Sequence, residues 1–230
     1  MNNYGIREGY AARETPAYFV DDQPDGKIWQ PDVLPIAAHI ARKTGAKLLI
    51  DIGCGRGEKL IPYAGEFDII GVDYGENIEY CRTHHAFGQW IERDLETGLP
   101  QLAVNELVKS VLVCSDVIEH LKNPAWLMHD LSLFAKLYAK ASVLSTPDRL
   151  RTYGFDQNGP PGNLHHVREW TLPEMVKWIT EEQHCSLSWA GWTMSNNVER
   201  QKNTMLLIFQ SHSQPGEIGA IEEVFEVERA

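Results

Sequence analysis

The sequence predicts an α/β fold, a doubly wound, seven-stranded, mostly parallel sheet, and three observations carry that prediction. Short apolar runs alternate with amphipathic segments of helical period along most of the chain. A glycine cluster, Gly53, Gly55 and Gly57, directly follows the first of these runs. The first four runs each end at a carboxylate or just before one: Asp51, Asp73, Asp94 and Asp116. In a parallel sheet, ligands lie beyond the carboxyl ends of the strands where the strand order reverses. Four acids at four strand ends are therefore expected to share one crevice.

The elements follow in order. Val33, Ile36, Ala37 and Ile40 recur at helical spacing, so a helix is expected over 32–44, ended by Gly45. The run at 47–51 is short, continuous and apolar, as suits a strand covered on both faces. The glycine turn comes next, with a helix starting near Glu58. Strands are expected over 67–73, 87–93, 110–116 and 141–146, with helices over 76–84 and 124–138 between them. Leu127, Leu131 and Phe134 mark the buried face of the second of these helices. Residues 148–168 read as a long polar loop. Thr171, with Glu174 three residues on, opens a further helix. The last two strands fall at 185–194 and 203–210. The organisation expected is an N-terminal arm or lid over 1–30, a main domain over 31–212, and an acid-rich, loosely held tail over 213–230.

Composition narrows the function. The chain has 230 residues and a net charge of −11, with 43% hydrophobic and 23% charged residues, enough for a full core. A pI near 5.3 argues against binding along a nucleic-acid backbone. Cys54, Cys81, Cys114 and Cys185 form no zinc-type spacing, and they are expected to be reduced, buried thiols. No signal-peptide pattern and no membrane-length apolar run is present. These features point to a cytoplasmic protein without a membrane partner.

A strand, a tight glycine turn and a helix start make a nucleotide-type site, because the free N–H groups favour negative charge and glycine admits close approach. The G-x-G-x-x-G dinucleotide fingerprint is not met: Glu58 stands at its sixth position, and Asp51 precedes the turn. Both departures count against a nicotinamide oxidoreductase. Asp73, about 20 residues further on, is placed to hold a ribose diol.

These segments resemble the class I S-adenosylmethionine-dependent methyltransferases. LLIDIGCGRGEKL (48–60) is similar to their first motif, IIGVDYG (69–75) to the second-strand acidic motif, and RDLETGLP (93–100) to the adenine-side motif. VLVCSDVIEHLKNP (111–124) and SVLSTPDR (142–149) are similar to the fourth- and fifth-strand motifs. HHVREWTLPEM (165–175) resembles a segment of methyltransferases related to the ubiquinone-biosynthesis O-methyltransferases. The resemblance implies S-adenosylmethionine as cofactor. It places Gly53 and Gly55 along the methionine moiety, with Asp51 on its ammonium side. Asp73 would hold the ribose hydroxyls, with Tyr74 against the adenine. Asp94 would take the adenine amino group, Leu95 would flank the ring, and Ser115 and Asp116 would lie near the sulfonium.

Methyl transfer to a hydroxyl calls for alignment and a proton acceptor. The candidates are His165, His166 and His120, and of the adjacent pair only one is expected to face the crevice. Asp116, Glu119 and His120 are spaced to share a helical face and bind a divalent metal. The resembling family has Glu where Asp116 stands, so no metal ligand is assigned. Arg149, Arg151 and Arg168 are candidates for an anionic group on the acceptor. YGIREGYAARETPAYFVDD (4–22) and WQPDV (29–33) resemble segments of bacterial glycan-modifying methyltransferases. That resemblance implies a small-molecule or glycan acceptor and methylation of a sugar hydroxyl. Tyr18, Trp29, Tyr153 and Trp170 are candidate sugar-stacking aromatics. An N-acceptor, a quinone-like phenol, and a non-catalytic cofactor-binding module serving a glycosyltransferase are the alternatives. A homo-oligomer is compatible with each.

Overall fold

The computed structural model describes residues 4–17, 19, 26–210, 218 and 221–230. Helix α1 (Val33–Thr44) leads into β1 (Leu48–Ile52), then β2 (Asp68–Asp73), α2 (Glu76–His84) and β3 (Gln89–Glu92). A short α3 (Val104–Leu107) precedes β4 (Ser110–Ser115), and α4 (Ala125–Leu137) precedes β5 (Ala141–Pro147). Helices α5 (Arg149–Tyr153) and α6 (Leu172–Lys177) are followed by β6 (Leu187–Thr193), β7 (Thr204–Phe209) and a two-residue β8 (Glu228–Arg229). The strands form one sheet in the order β3-β2-β1-β4-β5-β7-β6-β8. The first five are parallel, and β7, β6 and β8 join antiparallel.

The pleat explains the two-sided core. Successive residues of a strand point to opposite faces. Leu48, Ile50 and Ile52 of β1, with Leu112 and Cys114 of β4, enter the core that contains Leu127, Leu131 and Ala135 of α4. Leu49, Val111 and Val113 enter the opposite core with Val33, Ile36 and Ile40 of α1. Each such aliphatic side chain, fully buried, contributes roughly 1.5–3 kcal/mol of transfer free energy. A continuous apolar run is what a strand needs when both faces are covered.

Three expectations are corrected. The sheet has eight strands, not seven, because β8 pairs with β6 at Gly191↔Arg229. The tail is accordingly not loose over 221–230: Ile221 is buried and Arg151 pairs with Glu228. The helix expected near Glu58 is present as a 3-10 helix, Glu58–Tyr63, with Pro62 inside it; proline lacks the N–H that an α-helix would use. The stretch 148–168 is not all loop, since Asp148 caps α5 by accepting from the N–H groups of Leu150 and Arg151. All four cysteines are free and buried, and among the described residues no helix is long and apolar enough to cross a membrane.

Candidate active site

The strand order reverses between β1 and β4, which is where a doubly wound sheet opens a crevice. A cavity of about 330 Å³ lies there. Its walls include all four strand-end carboxylates, Asp51, Asp73, Asp94 and Asp116. They also include Gly53, Gly55, Tyr74, Leu95 and Ser115, so the nine residues assigned to the cofactor meet at one place.

Local structure sets each of them. Ile52 pairs with Val72 on one side and Cys114 on the other, so β1, β2 and β4 end level with one another. The chain then turns at Gly53, Gly55 and Gly57, all at positive φ (76°, 54° and 71°), the region glycine adopts without a Cβ penalty. At Gly53 a Cβ would stand 2.2 Å from Val117 Cγ2, so the turn and the β4 end are in contact. Asp73 ends β2 buried, its carboxylate accepting from the N–H of Gly55 (2.8 Å) and of Tyr74 (2.8 Å). Asp94 follows β3 and accepts from Glu96 N at 3.0 Å, capping a short 3-10 turn.

At the β4 end the sequence missed the central residue. Gln30, 3% exposed, donates from Nε2 to Asp116 Oδ1 (2.8 Å) and accepts through Oε1 from the hydroxyls of Ser115 (3.0 Å) and Ser145. Gln30 lies within the WQPDV segment, but nothing in that segment assigns the glutamine a role, and only tertiary structure brings it to two strand ends.

The histidines separate as adjacency requires. His165 and His120 line the cavity, and His166 does not. His166 is turned inward, with Nδ1 2.6 Å from Glu169 Oε1 and Nε2 3.0 Å from Asn163 Nδ2. The His120 Nδ1–H donates to the His165 carbonyl (3.0 Å), leaving Nε2 as the acceptor nitrogen. Burial, with His166 beside it, pushes the His120 imidazole down to about 4, so it is neutral at pH 7. Their rings meet edge to face at 4.8 Å.

Asp116, Glu119 and His120 do not share an α-helical face. Asp116 sits at φ 61°, and residues 118–120 form a single 3-10 turn. His166 completes a different cluster: Glu119, His120 and His166 each offer a ligand atom within 4.8 Å of the others. Neither oxygen of the fully buried Glu119 meets a hydrogen-bond donor in good geometry among the described residues. Burial first, then Asp116, pushes the Glu119 carboxyl well up. A proton, or a divalent cation taking its place, would relieve this. Glu119 and the His120 Nε2 therefore suit a cation, and His166 would join them once its Nε2 exchanged the Asn163 Nδ2 donor for the ion.

The three arginines are structural. Arg149 is fully buried and paired with Asp156 and Glu174. Arg168 donates to the carbonyls of Leu121 and Lys122, and Arg151 binds Glu228 and covers Trp192. The cavity's cations are Lys59 and Lys122 instead. Of the aromatics, Trp170 is buried against Trp178, Tyr153 donates no ring to the cavity wall, Trp29 and Phe19 line it, and Tyr18 lies outside the described residues.

An open sheet with a nucleoside-type crevice at its switch point defines an α/β enzyme domain of the Rossmann-like class. The methyltransferase-domain family matches residues 13–212, and the chain belongs to it. S-adenosylmethionine is its cofactor. A wall rich in carboxylates suits that ligand, which carries a sulfonium and an ammonium. No curated sequence matches the chain. Among solved structures, the methyltransferase domain of bacterial CtHen1 is 22% identical, with a TM-score of 0.56 over 79% of this chain and 98% of that one. An S-adenosylmethionine-dependent methyltransferase from Clostridium acetobutylicum is 10% identical, with a TM-score of 0.60 over 83% and 95%. The plantazolicin methyltransferase BamL, in complex with a triazolic desmethylPZN analogue and S-adenosylhomocysteine, is 11% identical, with a TM-score of 0.56 over 78% and 84%. At such identities the likeness is one of fold.

Proposed function

We propose that this methyltransferase acts on a hydroxyl of a sugar or another small hydroxylated acceptor. The observation that carries the reading is the meeting of His120 and His165 with Asp116 on one cavity wall. S-adenosylmethionine supplies, when bound, a methyl group on a sulfonium that departs as a neutral thioether. The chain's own residues do the rest. Asp73 holds the ribose hydroxyls and Asp94 the adenine edge. The glycine turn and Asp51 receive the amino-acid end, and Asp116 lies beside the sulfonium. His165 accepts the acceptor's proton as its oxygen attacks the methyl carbon; its Nδ1 is 3.2 Å from the Ala17 carbonyl, which leaves Nε2 to act. Glu119, His120 and His166 would hold a divalent cation, which would acidify a hydroxyl bound to it. Phe19 and Trp29, 45% and 43% exposed at the cavity wall, offer apolar faces to a sugar ring. The net charge of −11 speaks against a polyanionic acceptor.

The test is incubation of the protein with deuterated S-adenosylmethionine and a native extract, followed by mass spectrometry. The label is expected on a saccharide or similar hydroxyl. Label on an amine or a quinone-like phenol overturns the acceptor class. Tight cofactor binding with no labelled product points to a cofactor-binding module serving a partner enzyme.

A further inference from the structure

Five described non-glycine residues have left-handed φ, and two of them, Gln30 (48°) and Asp116 (61°), are hydrogen-bonded to each other at the cavity wall. Such backbone is disfavoured and persists only where surroundings impose it. The surroundings here are specific. Gln30 N donates to the Ser195 carbonyl at 2.7 Å, and Asp116 N to the Ser145 carbonyl at 3.1 Å. The amide of Gln30 has one permitted orientation. Its oxygen takes the hydroxyls of Ser115 and Ser145, so its N–H must point at Asp116; reversed, an acceptor would face a carboxylate.

We propose that Gln30 is a positioning residue that aims the Asp116 carboxylate at the cofactor's positive sulfur, and so sets the preference for charged cofactor over neutral product. The proposal rests on the reading that places Asp116 beside the sulfonium. S-adenosylmethionine and S-adenosylhomocysteine differ only by a methyl group and one positive charge. Every contact to adenine, ribose and amino acid is common to both. A carboxylate held in one orientation near the sulfur favours the charged ligand alone, and it does so most strongly when a desolvated hydrogen bond removes its freedom to turn. Gln30 supplies that bond from a segment outside the strand–helix core, tying it across the ends of β4 and β5.

The test is titration calorimetry of both ligands against Gln30→Leu, which keeps the volume and removes the amide, and against Asp116→Asn. S-adenosylmethionine affinity is expected to fall about tenfold in Gln30→Leu, with S-adenosylhomocysteine affinity within about twofold of the parent. Asp116→Asn is expected to narrow the ratio at least as much. A Gln30 variant that weakens both ligands equally, or neither, overturns the positioning role. If Asp116→Asn narrows the ratio while Gln30→Leu does not, only this inference falls. If Asp116→Asn leaves the ratio unchanged, the sulfonium placement falls with it. Retained S-adenosylhomocysteine binding is the control for folding. Should Gln30→Leu not fold, Gln30→Asn, a shorter amide that tolerates positive φ, is expected to shift the ratio in the same direction.

Discussion

The carboxylate of Asp73 accepts the backbone N–H of Gly55 at 2.8 Å, so the acid at the end of β2 holds the glycine turn that follows β1. The same side chain accepts from Tyr74 N and stands 3.4 Å from Asn77 Nδ2. One residue thus shapes the turn and, in the reading given above, grips the ribose.

Asp73→Ala is expected to act twice. Losing two charge-assisted hydrogen bonds to the ribose, at about 1.5–3 kcal/mol each, lowers cofactor affinity by roughly 100-fold or more. Losing the Gly55 contact loosens the turn and lowers Tm. Calorimetry and a thermal melt read the two separately. Unchanged affinity with a lowered Tm would leave Asp73 a purely structural acid.

His165→Ala and His166→Ala are expected to differ. His165 lines the cavity, so its loss should lower turnover with cofactor affinity preserved. His166 is buried against Glu169, whose carboxylate its loss would leave without that donor. A stability loss of about 1–3 kcal/mol follows, a fall in Tm of several degrees for a chain of this size. Equal melts for the two variants would contradict the assignment.

The fold was legible because β1, β2, β4 and β5 are continuous apolar runs bounded by turn residues, and Asp51, Asp73 and Asp116 were legible because they stand at the ends of three of those runs, while Asp94 follows the mixed strand β3. What lay hidden depends on contacts distant in sequence. Gln30 reaches Asp116 across 86 positions. Arg149 reads as a loop cation, yet it is buried, because Asp156 and Glu174 come together only when the 148–168 segment folds back on α6. His166 leaves the cavity wall because Glu169, three residues on, pulls it inward. The two-residue β8 has no periodicity to detect.

Glu119 makes a prediction of opposite sign for stability and for cation binding. Burial disfavours the charged form of the Glu119 carboxyl, so Glu119→Gln is expected to raise Tm slightly in metal-free buffer. Mn²⁺ is expected to stabilise the parent protein, by about 2.7 kcal/mol at a hundredfold excess over its Kd, and to have no such effect on Glu119→Gln. A parent protein whose Tm ignores Mn²⁺ after treatment with EDTA would mean that the cluster holds a proton and not a metal.

The Arg149 pair sets an acid limit on stability. Its guanidinium is fully buried and reaches Asp156 Oδ1 from Nη2 at 2.8 Å and Glu174 Oε2 at 2.9 Å. Burial would raise the Asp156 carboxyl, but the hydrogen bonds and charge of Arg149, with Arg7 beside it, hold it below the ordinary 3.8. A carboxyl whose folded pKa is depressed stabilises the protein fully above its unfolded pKa. That stabilisation is lost as pH falls through about 4 and on towards the folded value. Asp156→Asn is therefore expected to lower Tm at pH 7 and to flatten its fall between about pH 5 and 3. Arg149→Met removes the shared partner and leaves two carboxylates facing each other. It is expected to cost about 3 kcal/mol, the lower end for a buried pair, because Asp156 is 42% exposed. Melts of both variants across that pH range check the sign. If Asp156→Asn followed the parent curve at every pH, Arg149 would owe its place to Glu174 alone.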